Sequence, residues 1–379
     1  MTLPPLSLYI HIPWCEQKCP YCDFNSHARK GVIPEAQYID ALLADLDRDC
    51  HWAQGRPLTS LFIGGGTPSL ISPAEIARLL DGVAKRLPLV ADCEITMEAN
   101  PGTLEADRFR PYRDAGVNRL SVGVQSFQQD KLRILGRIHG AEEARRAAKE
   151  ACKAGFERFN LDLMHTLPGQ SVSDALYDLE QAIELAPPHL SWYQLTIEPN
   201  TQFASQPPTL PDDDIQWAIF EQGKARLEAA GYRQYEISAW AKPGYQCQHN
   251  LNYWRFGDYL GIGCGAHGKI TLADGQLLRT TKVKHPRGYL EAGRDPMATQ
   301  LPVALEDQAL EYYMNRLRLM EPMPLAELAE RTQLSHAQVA KPLAWAEQRK
   351  LIRRDDQQMQ LTEQGHRYLN ELLAQFLPD

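Results

Sequence analysis

The chain has 379 residues, 44% of them hydrophobic and 23% charged, with a formal net charge of −8 and eight cysteines. This length suggests two or three domains. No apolar run approaches the roughly 18 residues of a membrane helix, and the negative charge argues against a general affinity for nucleic acid. The cysteines are too sparse for a disulfide scaffold and the N-terminal residues lack the pattern of a signal peptide, so reduced thiols in a cytoplasmic protein are the expectation.

Short β-like runs recur from the start, each followed by a helix-like stretch. The runs are Leu6–Ile12, Ser60–Ile63, Glu94–Glu98, Arg119–Val124, Arg158–Met164 and His189–Leu195. Amphipathic segments at Glu35–Leu46, Pro73–Arg86, Ala141–Ala154 and Ser173–Leu185 lie between them. That alternation predicts an α/β fold of βαβ units with a parallel sheet. Six units fall short of a closed eight-stranded barrel of roughly 250 residues. A partial six-stranded (β/α) barrel fits the count, and so does an open Rossmann-like sheet. A Pro- and Asp-rich stretch, Gln206–Asp214, precedes a helix at Ile215–Ala230 and a strand-like Gln234–Trp240. We divide the chain into a core over 1–235, an annex over 236–298 and a C-terminal module over 299–379.

The module reads as a winged-helix outline. Ala304–Met320 is one helix, and Pro324–Arg331 with Ser335–Arg349 form a helix-turn-helix pattern. Leu351–Leu361 reads as a β-hairpin with Asp355, Asp356 and Gln357 at its tip. Thr362–Phe376 is a last helix, with Thr362 as N-cap. Acidic residues outnumber basic ones over 300–379. DNA binding leans on phosphate neutralisation, so a packing or protein-docking role is expected rather than a nucleic-acid one.

The chemistry-bearing residues sit at the ends of the predicted strands. Cys15, Cys19 and Cys22 follow the first in a C-x3-C-x2-C spacing. Thiolates suit iron–sulfur clusters, Zn or Cu(I). Three are one short of the set that usually closes a [4Fe–4S] cluster, which leaves one iron open. A Zn site recruiting His11 or His27 is the bland alternative. Gly64-Gly65-Gly66-Thr67-Pro68 follows the second strand, where glycines let backbone N–H groups approach a ligand. Glu98 ends the third strand, Gln125 follows the fourth, Arg137 lies in a Leu-Gly-Arg-Ile-His-Gly string, and Asp162 sits on the fifth. Polar residues at strand C-termini face the ligand side of such a barrel, although each alone could be a structural ion pair or cap. Further on, His249-Asn-Leu-Asn-Tyr253-Trp254 joins a metal-competent imidazole to two flat aromatic rings. Cys247 and His267 are weaker ligand candidates. Cys50, Cys93, Cys152 and Cys264 read as small buried apolar residues.

The cysteine spacing and the glycine loop resemble those of radical S-adenosylmethionine (SAM) proteins. That resemblance implies a partial barrel whose open iron holds SAM and cleaves it reductively. Tyr9-Ile-His11-Ile-Pro13-Trp-Cys15, Gly64–Pro68, Gly123–Phe127 and Asn160–Pro168 resemble the oxygen-independent coproporphyrinogen oxidase family over nearly the whole chain. By the resemblance, Tyr9, Gly65, Gly66, Thr67, Glu98, Gln125, Arg137 and Asp162 match residues that serve one or the other of the oxidase's two SAM sites. Two departures point away from the oxidase. Phe24 stands where it has a further cysteine, and the motif begins at residue 15, where the oxidase has a longer preceding segment. Both match relatives described as haem chaperones, in which the His-Asn-x-x-Tyr-Trp string is proposed to contact haem. This implies a [4Fe–4S] cluster and SAM as cofactors, haem as cargo and His249, Tyr253 and Trp254 as candidate haem contacts, with no catalytic residue assigned. The expected partners are an electron donor for the cluster and haem-acceptor apoproteins. Membrane respiratory enzymes are candidates for the acceptor, and a second copy of the chain is a further candidate partner. The oxidase itself is the enzyme alternative, and a cluster-binding regulator is the third class.

Overall fold

The first apolar run forms strand β1 (Leu6–Ile12), in which Leu6, Leu8, Ile10 and Ile12 are wholly buried. Near-continuous burial is what a parallel strand covered on both faces requires. Its parallel neighbours follow in order: β2 (Leu58–Gly65), β3 (Leu89–Ala99), β4 (Arg119–Gln125), β5 (Arg158–His165) and β6 (His189–Gln194). The computed structural model describes residues 3–102 and 106–378. Spatial order equals chain order from β1 to β6. A Rossmann sheet reverses at a switch point, so the partial barrel is the arrangement found.

Six strands are not the whole sheet. Beyond β6 it is extended antiparallel by β7 (Arg233–Glu236) and β8 (Ala239–Ala241), with β8 next to β6. On the other side β9 (Asp258–Ile262) runs parallel to β1, pairing Leu6 with Asp258 and Leu8 with Leu260. Strands β10 (His267–Thr271), β11 (Leu277–Lys282) and β12 (Met297–Pro302) continue antiparallel from it, giving twelve strands among the described residues. Residues 236–298 are therefore divided between the two edges of one sheet rather than gathered in an annex. Asp258 anchors the added parallel strand. Its buried carboxylate accepts from Arg56 at 2.7 Å and from Lys269 at 3.0 Å. An isolated buried charge is costly, but here two cations and two Thr271 donors satisfy it.

Helices α1 (Glu35–Asp49), α2 (Pro73–Ala84), α3 (Ala141–Lys153) and α4 (Val172–Glu184) form the outer layer. Helix α3 buries Ala144, Ala147, Ala148 and Ala151, and this small-residue face lets it lie close to the sheet. Helix α4 starts in a capping box between Ser171 and Asp174. Helix α5 (Asp213–Ala229) packs on α4, and the short α6 (Gln248–Trp254) packs against β2. Each large aliphatic side chain enclosed between these layers contributes about 1.5–3 kcal/mol of burial free energy.

The C-terminal module has its own core, centred on Tyr312, Tyr313, Leu343 and Met359, and it also packs on Phe256 and Leu277. Its helices are α7 (Leu305–Arg316), α8 (Glu327–Arg331), α9 (Ala340–Gln348), α10 (Glu363–Arg367) and α11 (Leu369–Ala374). The expected hairpin is present as Ile352–Arg354 and Gln358–Leu361, and Met323–Pro324 adds a third strand. The Thr362 hydroxyl caps α10 by accepting from the Gly365 N–H. The single last helix expected from the sequence is broken at Tyr368. Among the described residues no helix is long and apolar enough to cross a membrane.

Candidate functional site

The C-terminal ends of β1 to β6 surround a cavity of about 570 Å³. Cys15, Cys19 and Cys22 line one end of it. After β1 the chain makes a short strand, Trp14–Cys15, that pairs with His27–Ala28 and closes the cysteine loop. The loop is fastened to the glycine loop by backbone bonds from Gly66 N–H to the Ile12 carbonyl (2.7 Å) and from Thr67 N–H to that of Trp14 (2.8 Å). Asn25 fixes its far side. The Asn25 amide donates to the carbonyls of Cys264 and Lys284, both at 2.9 Å. Among the described residues no three His, Cys, Asp or Glu side chains stand at the spacing of ligands to one ion. Coordination would reverse the effect of burial, which pushes the Cys15 and Cys22 thiols above their ordinary range.

The glycines are needed for close approach. Gly65 has φ +116°, and a Cβ there would lie 2.5 Å from the His11 ring. A Cβ on Gly66 would meet the Trp14 carbonyl oxygen at 2.5 Å and the Cys15 sulfur at 3.1 Å. Gly65 N–H donates to Glu98 Oε2 at 3.0 Å. Burial, reinforced by the nearby Asp162 carboxylate, pushes the Glu98 carboxyl up to about 8. Asp162 accepts from Ser121 (3.0 Å) and Asn160 (2.7 Å), and it too is raised by burial. Gln125 ends β4 at φ 68°, a strained conformation for a non-glycine residue, and its Oε1 accepts from the Tyr193 hydroxyl at 2.8 Å. The Arg137 guanidinium reaches Cys19 Sγ (3.7 Å), Asn100 Oδ1 (2.9 Å) and the Gly123 carbonyl (2.7 Å).

Gly65, Gly66, Thr67, Glu98, Gln125, Arg137 and Asp162 thus share one cavity with the three thiols. Tyr9 does not line it. Its hydroxyl hydrogen-bonds His11 Nδ1 at 2.9 Å, and His11 Nε2 in turn bonds the Asn25 carbonyl at 2.9 Å. Tyr9 therefore braces the cysteine loop from below, and His11 has no nitrogen free for a Zn ion. His27 Nε2 is similarly turned to the Lys284 carbonyl at 3.3 Å. The sequence reading missed Asn100, Ser191 and Tyr193, which also line the cavity. Tyr193 was within reach of the strand-end rule, since it lies one residue before the end of β6.

The His-Asn-x-x-Tyr-Trp string is α6, and the helix separates its members. His249 and Tyr253, four residues apart, face inward. His249 is 1% exposed, its Nδ1 bonds Ser60 Oγ at 3.0 Å, and its Nε2 bonds the Tyr253 hydroxyl at 2.8 Å. Burial, then the Arg119 charge, lowers its pKa to about 3. Asn250 and Trp254 line the cavity of the three thiols instead, and the Arg318 guanidinium lies 4.3 Å from the Trp254 ring centre. The expected flat patch open to a porphyrin is therefore corrected to a helix with two faces. Residues at i and i+4 share a face, so 249/253 and 250/254 point different ways. Cys247 is buried and its thiol donates to Glu94, whereas His267 is exposed. Cys93 and Cys264 are buried as expected, but Cys152 is exposed and Cys50 only half-buried. Replacing His249 by Ala should leave the Tyr253 hydroxyl buried without this partner. We expect a loss of about 2–4 kcal/mol, read as a lower denaturation midpoint with an unchanged slope.

The chain matches the family model described as the Radical SAM superfamily over residues 9–182, and that of the HemN C-terminal domain over 303–368. It is 61% identical over 384 residues to the heme chaperone HemW of Escherichia coli K12, with both chains covered in full. It is 56% identical to the heme chaperone HemW of Haemophilus influenzae, over 100% of this chain and 99% of that one. Among solved structures it resembles the coproporphyrinogen III oxidase HemN of Escherichia coli, titled a radical SAM enzyme. The TM-score is 0.83 at 25% identity, over 99% of this chain and 90% of that one.

Proposed function

The chain belongs to the haem chaperone HemW family of the radical SAM superfamily, and from that premise we propose that it binds haem and delivers it to haem-requiring apoproteins. The observation that carries the cofactor side of this reading is the joint placement of three thiols, a glycine loop and strand-end carboxylates around one cavity. Cys15, Cys19 and Cys22 would hold a [4Fe–4S] cluster, and Gly65, Gly66, Thr67, Glu98, Gln125, Arg137 and Asp162 would hold SAM. When bound, the cluster supplies a single electron. The chain's own groups do the rest. Arg137 puts a positive charge beside Cys19, 3.7 Å from its sulfur. The glycine loop lets a ligand approach the backbone closely, its Gly65, Gly66 and Thr67 N–H groups being bonded to Glu98, Ile12 and Trp14, and Glu98 offers a carboxylate to hydroxyl donors.

Phe24 favours the chaperone over the oxidase. It is 59% exposed at the cavity mouth, in the position where the oxidase pattern has a cysteine. The structural likeness to HemN keeps the oxidase as the second reading. One anaerobic experiment separates them. Reconstituted protein is given coproporphyrinogen III, SAM and a reductant, and is separately titrated with haem and mixed with a haem-free acceptor. We expect haem binding and transfer with the porphyrinogen unchanged. Formation of protoporphyrinogen would establish the oxidase instead.

SAM binding should also release a proton. A carboxyl raised to about 8 is largely protonated at pH 7. A cationic ligand with hydroxyl donors favours the ionised form and lowers that pKa, so the proton leaves in the window below pH 8. The binding enthalpy at pH 7 should therefore vary with the ionisation enthalpy of the buffer, and Glu98→Gln should remove that variation. Buffer-independent enthalpy in the parent would refute the assignment of Glu98.

A further inference from the structure

A second cleft, of about 440 Å³, lies between α5 and the C-terminal module. It adjoins the cluster cavity, because Gln194 at the end of β6 lines both. The Gln194 amide donates to Gln216 of α5 at 2.8 Å, which closes the partition. Two aromatic rings of α5 line the cleft. Phe220 lies almost parallel to Trp192 beneath it, at 6.4 Å and 6°, and Trp217 stands 5.9 Å from Phe220. Trp217 is 44% exposed, an unusual setting for so large an apolar ring. Met320 and His366 also line the cleft, from the C-terminal module.

His366 is half-buried, and among the described residues its ring has no hydrogen-bond partner. Burial, then the nearby Lys224 charge, lowers its pKa, so the imidazole is neutral and free to ligate at physiological pH. Lys224 makes no ion pair among the described residues and borders the same space, whereas Arg367 is already paired with Glu363 and lies over Trp217. Asp213 and Glu221 are the other charged groups on the rim. The rim therefore has no excess of positive charge, and affinity here must come from a metal bond and flat apolar contact.

We propose that this cleft is the haem site, with His366 as axial ligand, Met320 as a soft group that also lines it, and Phe220 with the part of the Trp217 ring not under Arg367 as the surface that the porphyrin covers. The inference rests on the haem-chaperone reading and gives it a location. Haem iron is commonly held by His alone or by a His and Met pair. His249 cannot serve in this conformation, since both its ring nitrogens are bonded within the core. Nor does the cluster cavity suit a porphyrin. Pockets for a single drug-sized ligand run from about 300 to 1,000 Å³, and this one must already hold a cluster and SAM. A site next door, across one glutamine, keeps the cargo close to the cluster without competing for its space.

The test is a titration of ferric haem into the full-length, cluster-loaded protein, followed by its Soret band. The parent should bind saturably. His366→Ala should shift the Soret maximum and weaken binding by roughly tenfold or more, with iron and sulfide content as in the parent. Trp217→Ala, on the opposite wall, should weaken binding without moving the band, and it decides the case if the His366 variant melts early. If the parent binds haem but both variants match it in spectrum and affinity, the cleft is not the site and the chaperone reading stands. If the parent shows no saturable binding, the chaperone reading itself falls.

Discussion

Cys15→Ala, Cys19→Ala and Cys22→Ala are each expected to abolish the broad visible absorption of the anaerobically reconstituted protein, together with its iron and acid-labile sulfide. The loop supplies three thiols to the cavity, and the two histidines nearest to it are committed elsewhere, His11 to Tyr9 and Asn25, His27 to Lys284. Each substitution removes one of the three thiolates proposed to hold the cluster. The fold should survive, because the cysteines are only partly buried and the strands that carry the loop are held by their own core. Far-ultraviolet circular dichroism should therefore match the parent. Full iron and sulfide content in the triple variant would refute the site.

Gly66→Ala is expected to damage cluster and SAM binding together. The sequence alone suggests a clash with the ligand. The structure shows an earlier one, since the new methyl would sit 2.5 Å from the Trp14 carbonyl oxygen and 3.1 Å from the Cys15 sulfur. A backbone oxygen cannot swing aside as a side-chain tip can, so the cysteine loop must shift. That shift also strains the bonds from Gly66 and Thr67 to Ile12 and Trp14. Iron content should fall in proportion to loop displacement, and calorimetric SAM affinity should fall by roughly tenfold or more, for each 1.4 kcal/mol lost is tenfold. A variant with full iron and parental SAM affinity would show that the loop has slack that these distances do not suggest. Gly31→Ala makes a fair control for added bulk near the motif, because a Cβ there meets nothing within 4 Å, although its φ of +85° adds some strain.

Much of this was legible in the sequence. The six parallel strands announce themselves through short apolar runs between amphipathic helices, and a local signal of that kind survives without any knowledge of the partner strand. The thiols, the glycine loop, Glu98, Gln125 and Asp162 follow from the rule that ligand groups gather at strand C-termini. Strand β9 was not legible. Its Asp-Tyr-Leu-Gly-Ile run is short, contains a glycine, and owes its place to pairing with β1, some 250 residues away in the chain. Long-range pairing leaves no periodic trace. The two faces of α6 were legible in principle, because helical spacing alone separates 249 and 253 from 250 and 254. Reading the six residues as a single flat patch overlooked that spacing. Tyr9 shows another limit. Its position on β1 was correct, but whether its hydroxyl meets a ligand or His11 depends on three-dimensional neighbours that no motif encodes.

The tie between Asn25 and the carbonyls of Cys264 and Lys284 bears on when the protein can be loaded. The clamp that holds the cysteine loop is made of chain translated more than two hundred residues after the cysteines. At roughly 5–20 residues per second, the thiols wait exposed for ten seconds or longer before their loop can be set. Loading of the proposed cluster into a set loop is thus expected only after this later chain has been made and folded. The interval before it is when the nascent thiols are open to oxidation or to capture by the wrong metal.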